Sequence, residues 1–532
     1  MKKKIGIIVI LFVLFLSSVM IVGSIYYSKQ YADQEFDQIL YYILHGVQGT
    51  SSSVVKEVIQ HNILAVIILF FILVTFIIRN LKEPKYINLK IKGEKKNVQI
   101  YPIKITSNNR IIFTTVIFVL ALITTVYGFK INTFVKYNLQ KTNFYEKYYV
   151  DGSNVEIKFP HQKRNLIIIS VESLENSLCS KENGGGWNYS VIPELEQLAT
   201  ENINFSHNEK IGGYTITYGT GFTSGGLVAY TAGIPLITPA TLKNSNSYVG
   251  SGKYLENAYT LGDILKKEGY NLEIMMGSDG NFGGRTQYFI TNGEYKIFDL
   301  NYAIATGKMT ENEKVWWGFE DDRLFKWAKE ETIELASKEK PFNLIIHTAD
   351  THFVDGYLST LAENKYENKY ENVHAYASKL TNDFVNWLRE QDFYENTTIV
   401  ILGDHLGMQS EFYAEHIDEK YERTVYNAII NSAIEPENTT NRKFTTMDMY
   451  PTILASMGVQ IEGERLGLGT NLFSGEKTLV EELGYDYVDK ELRKKSDFYN
   501  NALLGDDYKL IKDVQMTRTK EDIDAEYVNN TY

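Results

Sequence analysis

One cysteine in 532 residues, Cys179, excludes an internal disulfide framework and any metal cluster built on thiolates. It reads as a small buried hydrophobe rather than a reactive thiol. Positive charge is also in short supply: 54 Lys and Arg stand against 66 Asp and Glu, and a net charge of −12 argues against non-specific nucleic-acid binding. The sequence holds no internal repeat and no low-complexity tract. What it does have is length, enough for a large core and more than one structural unit.

Charge is absent altogether from three apolar runs near the start, at about 5–27, 63–78 and 111–129. The first follows Lys2, Lys3 and Lys4 and is long enough to cross a hydrocarbon layer of roughly 30 Å. A cleaved signal peptide shares the charged start but has a shorter apolar region, so the length favours a retained anchor. Between the second and third runs lie nine basic residues: Arg79, Lys82, Lys85, Lys90, Lys92, Lys95, Lys96, Lys104 and Arg110. By the positive-inside rule that loop and the N-terminal lysines are cytoplasmic, which puts 28–61 and everything after Lys130 outside the membrane. The expected organisation is a membrane domain at 1–130 and a juxtamembrane stalk at 131–164. A catalytic domain at 165–480 and a C-terminal extension at 481–532 follow.

From Asn165 onward, short β-rich runs alternate with helical stretches such as 257–268 and 373–390. The alternation predicts an α/β domain with a mostly parallel sheet. Three of its strands stop at residues with metal-binding or acid–base chemistry. The run at 165–170 leads into Glu172, that at 343–346 into His347, Asp350 and His352, and that at 399–402 into Gly403, Asp404 and His405. Open α/β sheets place their ligand sites at these carboxyl ends. Two carboxylates and an imidazole suit a divalent cation such as manganese or zinc. The small-residue loop at 220–226 supplies Thr223, whose hydroxyl is a weak nucleophile unless a cation or a base lowers its pKa. Its glycines permit close backbone approach, and the helix that follows offers N–H groups to an anion. Together these parts suit attack of a threonine hydroxyl on a phosphodiester. Taken singly, an Asp-His pair at a strand end is more often a turn and a Gly-rich stretch more often a plain loop; their joint appearance in this order changes the weighting.

The motifs also carry a resemblance. Glu172-Ser173-Leu174-Glu175, Thr223 followed by Gly233-Ile234-Pro235-Leu236, Leu261-Gly262-Asp263-Ile264-Leu265-Lys266 and Trp317-Gly318-Phe319-Glu320-Asp321-Asp322 occur in that order. Asp350-Thr351-His352, Asp355-Gly356, Asp404-His405-Leu406 and Leu466-Gly467-Leu468-Gly469 complete the series. The chain resembles the membrane phosphoglycerol transferases of the alkaline-phosphatase and sulfatase-like superfamily, over about 165–475 and weakly around 37–49. It is nearer the phosphoglycerol transferase I type than the lipoteichoic acid synthases.

The resemblance implies an alkaline phosphatase/sulfatase-like fold and one divalent metal held by Glu172, Thr223, Asp404 and His405. Manganese is the expected ion, with zinc and magnesium as alternatives. It further implies a covalent phosphoglycerol on Thr223, acid–base work at His352 and head-group contact at Arg285. Asp350 and Asp355 are candidates for acceptor hydroxyls. Met276 stands where the synthases carry a histidine, which puts their polymerising pocket in doubt. The implied partners are a membrane phospholipid donor and a glycan or glycolipid acceptor, with the catalytic domain outside a bacterial cell membrane.

A phosphoethanolamine transferase, or another metal-dependent phosphodiesterase or phosphatase, would share this site. A sulfatase activity is disfavoured because formylglycine is made from cysteine or serine, not from threonine. A non-catalytic glycan-binding surface protein would be expected to have lost metal ligands, and here all four are present. His347, inside an apolar strand, reads as a satisfied core histidine, while His207, His374 and His416 read as surface or packing residues. Among the aromatic residues, Trp187, in the Gly-rich run at 184–187, is the one expected near substrate.

Overall fold

A computed structural model of the chain describes residues 2–31, 34–45, 52–79, 85–91, 94–101, 107–237 and 254–504. They form two compact units, 1–32 with 52–133, and 33–51 with 134–532. In the first unit, α1 (Lys2–Gln30), α3 (Ser52–Arg79) and α4 (Ser107–Gly128) contain the three helices long and apolar enough to cross a membrane. Leu14, Leu73 and Ile77 are buried between them, and the Ser24 hydroxyl reaches Thr125 at 3.2 Å. The basic segment expected as a loop contains an antiparallel hairpin, β1 (Lys85–Ile91) with β2 (Glu94–Tyr101). Lys82, Lys92 and Lys104 lie outside the described residues. The helix α2 (Phe36–His45) falls between α1 and α3 in sequence, yet it belongs to the second unit.

Helix α5 (Ile131–Asn138) spans the boundary between the units at 133 and 134, and the second unit continues with β3 (Lys141–Thr142), α6 (Phe144–Tyr148), β4 (Ile157–Lys158), β5 (Asn165–Val171), α7 (Pro193–Glu201), β6 (Gly213–Tyr214) and α8 (Thr223–Ala232). Then come α9 (Leu261–Lys267), β7 (Asn271–Met276), α10 (Arg285–Thr291), β8 (Lys296–Phe298), α11 (Leu300–Ala305), α12 (Asp321–Ala336), β9 (Phe342–His347) and α13 (Lys369–Arg389). After them follow β10 (Thr397–Gly403), α14 (Ser410–His416), β11 (Val425–Ile430), α15 (Met449–Ser456), β12 (Gln460–Ile461), β13 (Arg465–Leu466), β14 (Gly469–Thr470), α16 (Leu479–Leu483), α17 (Tyr485–Leu492) and β15 (Lys495–Ser496).

The central sheet has seven strands in the order β6-β11-β10-β5-β9-β7-β8. Five run parallel, and β11 and β6 close one edge antiparallel. Every residue of β5, β9 and β10 is buried, as expected for strands covered on both faces. Side chains alternate between the faces. Leu166, Ile168, Val400 and Leu402 join the core with Leu227 and Val228 of α8. Ile167, Ile169, Ile399 and Ile401 join the other core with α7, α12 and α13.

The helix expected at 257–268 starts late, at Leu261, because Thr260 and Asp263 form a reciprocal capping box that sets its first turn. Most of the stalk expected at 131–164, from residue 134 onward, belongs instead to the globular unit. Phe144 and Tyr145 are buried in the core, β3 pairs with β15, and β4 pairs with β12. Its polar composition hid these few aromatic anchors. The C-terminal extension is packed through Val488, Leu492, Phe498 and Tyr499, and 505–532 lie outside the described residues. Replacing Phe144 by Ala should destabilise the globular unit by about 3–5 kcal/mol, read as a lowered unfolding midpoint in denaturant. A change below about 0.5 kcal/mol would mean that the segment is an independent stalk.

Candidate metal and nucleophile site

The register of the sheet assembles the site. Ser170 of β5 pairs with His347 of β9, and Val171 pairs with Gly403 of β10, so three strand ends finish side by side. Glu172 follows β5, Asp404 and His405 follow β10, and His347 ends β9. All four are buried, none more than 2% exposed. From the opposite side α8 brings Thr223 at its first position. The approach is so close that a Cβ on Gly226 would sit 2.2 Å from the Asp404 carbonyl oxygen, which is why the helix opens with glycines.

The Thr223 hydroxyl donates to Glu172 Oε2 at 3.1 Å and lies 3.5 Å from His405 Nε2. His405 Nε2 is 3.3 Å from Glu172 Oε1 and 3.4 Å from Asp404 Oδ2. Its other nitrogen, Nδ1, donates to the Leu406 carbonyl at 2.7 Å, which turns Nε2 toward the cluster. Asp404 Oδ1 accepts the backbone N–H groups of Ser173 at 2.8 Å and His405 at 2.9 Å. Asp404 Oδ2 is buried and accepts no hydrogen bond.

The charges are strongly coupled. Burial and the neighbouring Glu172 push Asp404 up to about 7. For Glu172, burial acts upward, but His405, His352 and His347 outweigh it and hold the carboxyl well below the usual range. His405 is lowered by burial and raised more by Asp404 and Glu172, to about 9.

Two buried carboxylates, one with an orphaned oxygen, beside imidazole nitrogens and a hydroxyl form a donor set that fits a divalent cation. Single ligand atoms of Glu172, His347 and Asp404 lie within 4.8 Å of one another. The structure thus brings together Glu172, Thr223, Asp404 and His405, and adds His347, which the sequence reading had assigned to packing. His347 Nδ1 lies 3.3 Å from the Ser170 hydroxyl and Nε2 lies 3.8 Å from Glu172 Oε2. The signal was present, since it ends its strand as Val171 does before Glu172, but the apolar run around it favoured a core role.

His352 stands on the loop after β9, its ring against Trp317 at 4.5 Å and Phe353 at 4.6 Å. Its Nδ1 donates to the Phe353 carbonyl at 2.7 Å, and burial lowers its pKa. Arg285 opens α10 and is buried, donating to the carbonyls of Phe282 at 3.0 Å and Asp279 at 2.8 Å.

Three expected substrate contacts have partners within the fold. Trp187 is 2% exposed, stacks on His416 at 4.9 Å and gives its indole N–H to Glu371 at 2.9 Å, so its face is not open to a sugar. Asp350 is buried, accepts the Asp321 N–H at 3.0 Å and gives its own to Asp321 at 3.2 Å, an anchor between β9 and α12. Asp355 exchanges hydrogen bonds with Gln409 at 2.9 and 2.7 Å, tying the two site loops together. A fold-dependent partner claimed each of them, and spacing in the sequence does not report partners.

The sequence reading also left Glu175 without a role. Its buried carboxylate takes a two-pronged contact from Arg423, at 2.9 and 2.6 Å, and accepts the Gly407 N–H at 2.8 Å. Arg423 also donates to the Gly407 carbonyl at 2.7 Å and stacks over Tyr413. This pair clamps the loop carrying Glu172 to the loop carrying His405.

The profile of the family described as Sulfatase matches residues 164–459. Phosphoglycerol transferase I of Xanthomonas campestris pv. campestris (strain B100) is 29% identical over 348 residues, covering 63% of this chain and 47% of that protein. Phosphoglycerol transferase I of Escherichia coli (strain SMS-3-5 / SECEC) is 28% identical over 360 residues, covering 66% and 44%. The chain therefore spans about half the length of the curated relatives it matches. Among solved structures, the lipoteichoic acid synthase LtaP from Listeria monocytogenes superposes with a TM-score of 0.47 at 18% identity, covering 61% of this chain and 80% of that one.

The clamp generates a prediction. Arg423→Lys keeps the charge but loses the fork, and should weaken divalent-ion binding about 10–100-fold in calorimetry with the fold retained. Unchanged affinity would mean that the two loops hold their places without it.

Proposed function

The chain belongs to the sulfatase family, and from that premise we propose that it is a membrane-anchored phosphoglycerol transferase acting outside the cell membrane. The observation that carries the reading is the Thr223 hydroxyl at the start of α8, 3.1 Å from Glu172 and 3.5 Å from His405, beside the orphaned oxygen of Asp404. Named relatives that are phosphoglycerol transferases support the choice of head group.

Thr223 Oγ1 attacks the phosphorus of phosphatidylglycerol, and its O–H proton is lost to a neighbouring base. The bond from phosphorus to the diacylglycerol oxygen breaks, and His352 in its protonated form gives that oxygen a proton. In the second half, neutral His352 takes the proton of an acceptor sugar hydroxyl, whose oxygen attacks phosphorus; the bond from phosphorus to Thr223 Oγ1 breaks, and that oxygen regains its proton from the base that had taken it. Glu172, Asp404 and His405, with Thr223, would hold one divalent cation, manganese by resemblance, whose charge lowers the hydroxyl pKa and offsets charge on the phosphoryl oxygens. The N-terminus of α8 adds unpaired N–H groups on the same side. Arg285 would neutralise a phosphate, its buried charge acting in a low-dielectric setting. The three apolar helices keep the unit beside a lipid donor, and the basic segment after α3 supports an extracytoplasmic placement. The acceptor belongs to the class of extracytoplasmic glycans or glycolipids.

The test uses the full chain in detergent with manganese and fluorescent phosphatidylglycerol. Labelled diacylglycerol and a glycerophosphoryl adduct on Thr223 are expected. Thr223→Ala should lower release by about a thousand-fold or more. Release that persists in this variant removes Thr223 as nucleophile, and turnover of phosphatidylethanolamine alone would move the activity to phosphoethanolamine transfer.

A further inference from the structure

We infer that Tyr42, on the segment linking the first two apolar helices, is a substrate-contacting residue whose hydroxyl donates to a phosphoryl oxygen of the group held at Thr223. The inference rests on the phosphotransfer reading above and deepens it, because nothing in the motif series reaches α2 with a chemical role.

The placement comes from a single carbonyl. The Gly283 oxygen accepts the Tyr41 hydroxyl at 2.6 Å and the Ser224 hydroxyl at 2.9 Å. It therefore ties α2, the first turn of α8 and the loop entering Arg285 into one knot. Gly283 has φ +63°, and a Cβ there would fall 2.4 Å from the Ser224 oxygen, so the position admits only glycine. Tyr41 also shares a hydrogen bond with the Tyr254 hydroxyl and is fully buried, which sets the rotation of α2.

Fixing Tyr41 fixes its neighbour. The Tyr42 ring stacks on Phe282 at 5.0 Å and 14°, and meets Phe222 at 6.1 Å and 72°. Phe222 precedes Thr223, and the Phe282 carbonyl holds Arg285. Tyr42 is thus wedged between the support of the nucleophile and the support of the guanidinium. Phe282 continues to Trp317 at 5.1 Å and Trp317 to His352 at 4.5 Å, so the same aromatic wall reaches the acid–base histidine.

Unlike Tyr41, Tyr42 is only half-buried, and its hydroxyl makes no hydrogen bond to any described residue. The charged groups acting on it are Arg285, Glu172 and Asp404. Burial and then Tyr41 raise its pKa, so it remains a neutral donor. A neutral O–H donor on a ring packed against Phe222, the residue before Thr223, and against Phe282, whose carbonyl holds Arg285, meets the needs of an anionic oxygen that gains charge during transfer. If the ring only packed, phenylalanine would serve equally well.

The test compares the full-length protein with Tyr42→Phe in nanodiscs of phosphatidylglycerol and phosphatidylcholine, and separately measures inorganic phosphate binding to the manganese-loaded chains. The variant should keep its melting temperature and manganese affinity while kcat/KM for lipid falls about 100–1,000-fold, as for loss of one donor to a developing charge. Phosphate should bind about 10–100-fold more weakly, as for one charge-assisted hydrogen bond. Equal turnover and equal phosphate affinity in the two proteins would overturn the inference. If the wild type turns over no phospholipid but binds phosphate, the donor reading fails and the phosphate comparison alone decides Tyr42. A wild type that neither turns over lipid nor binds phosphate overturns both.

Discussion

Three parallel strands ending in register place two carboxylates and two imidazoles in a space from which water is excluded, and the rest of the unit follows from that. Glu172 and Asp404 are each at most 2% exposed. Bringing two such groups together is costly unless opposite charge is supplied. Part of the compensation is internal. Two backbone N–H groups point at Asp404 Oδ1, the Ser173 hydroxyl donates to Glu172 at 2.7 Å, and His405 faces both acids. The second oxygen of Asp404 is left unmatched, and a divalent cation is a species that would complete the balance.

Around this cluster, loops rather than strands do the positioning, and each is held by a specific lock. Arg423 and Glu175 join the loops after β5 and β10. Asp321 and Asp350 fold the chain back after β9, their carboxyl groups sharing backbone N–H groups, with burial pushing Asp321 up to about 7. The Gly283 carbonyl collects α2 and α8. The last lock has the widest functional reach, because a segment that lies between two apolar helices in the sequence becomes a wall of the nucleophile's surroundings.

Much of this was legible in the residues. The β-branched runs at 165–171, 342–347 and 397–403 admitted few readings other than buried parallel strands, and the charge-free runs described three apolar helices. Glu172, Thr223, Asp404 and His405 stood out because each follows or begins an element at a point where side chains converge. The stalk at 131–164 was misread because Phe144 and Tyr145 are isolated apolar residues in polar surroundings, without the periodicity that marks an amphipathic element. Trp187 and Asp350 looked available because their partners, Glu371 and Asp321, are 184 and 29 residues away.

The amino-acid sequence by itself determined the α/β class, the apolar helices and the three residues that gather at Thr223, because hydrophobic period and strand ends are local properties of a chain. Only the tertiary structure decided that His347 faces Glu172, that Arg423 braces the two loops, and that Tyr42 stands beside Phe222. Those placements depend on strand register and on hydrogen bonds closed across more than a hundred residues, and such long-range pairings leave no periodicity behind.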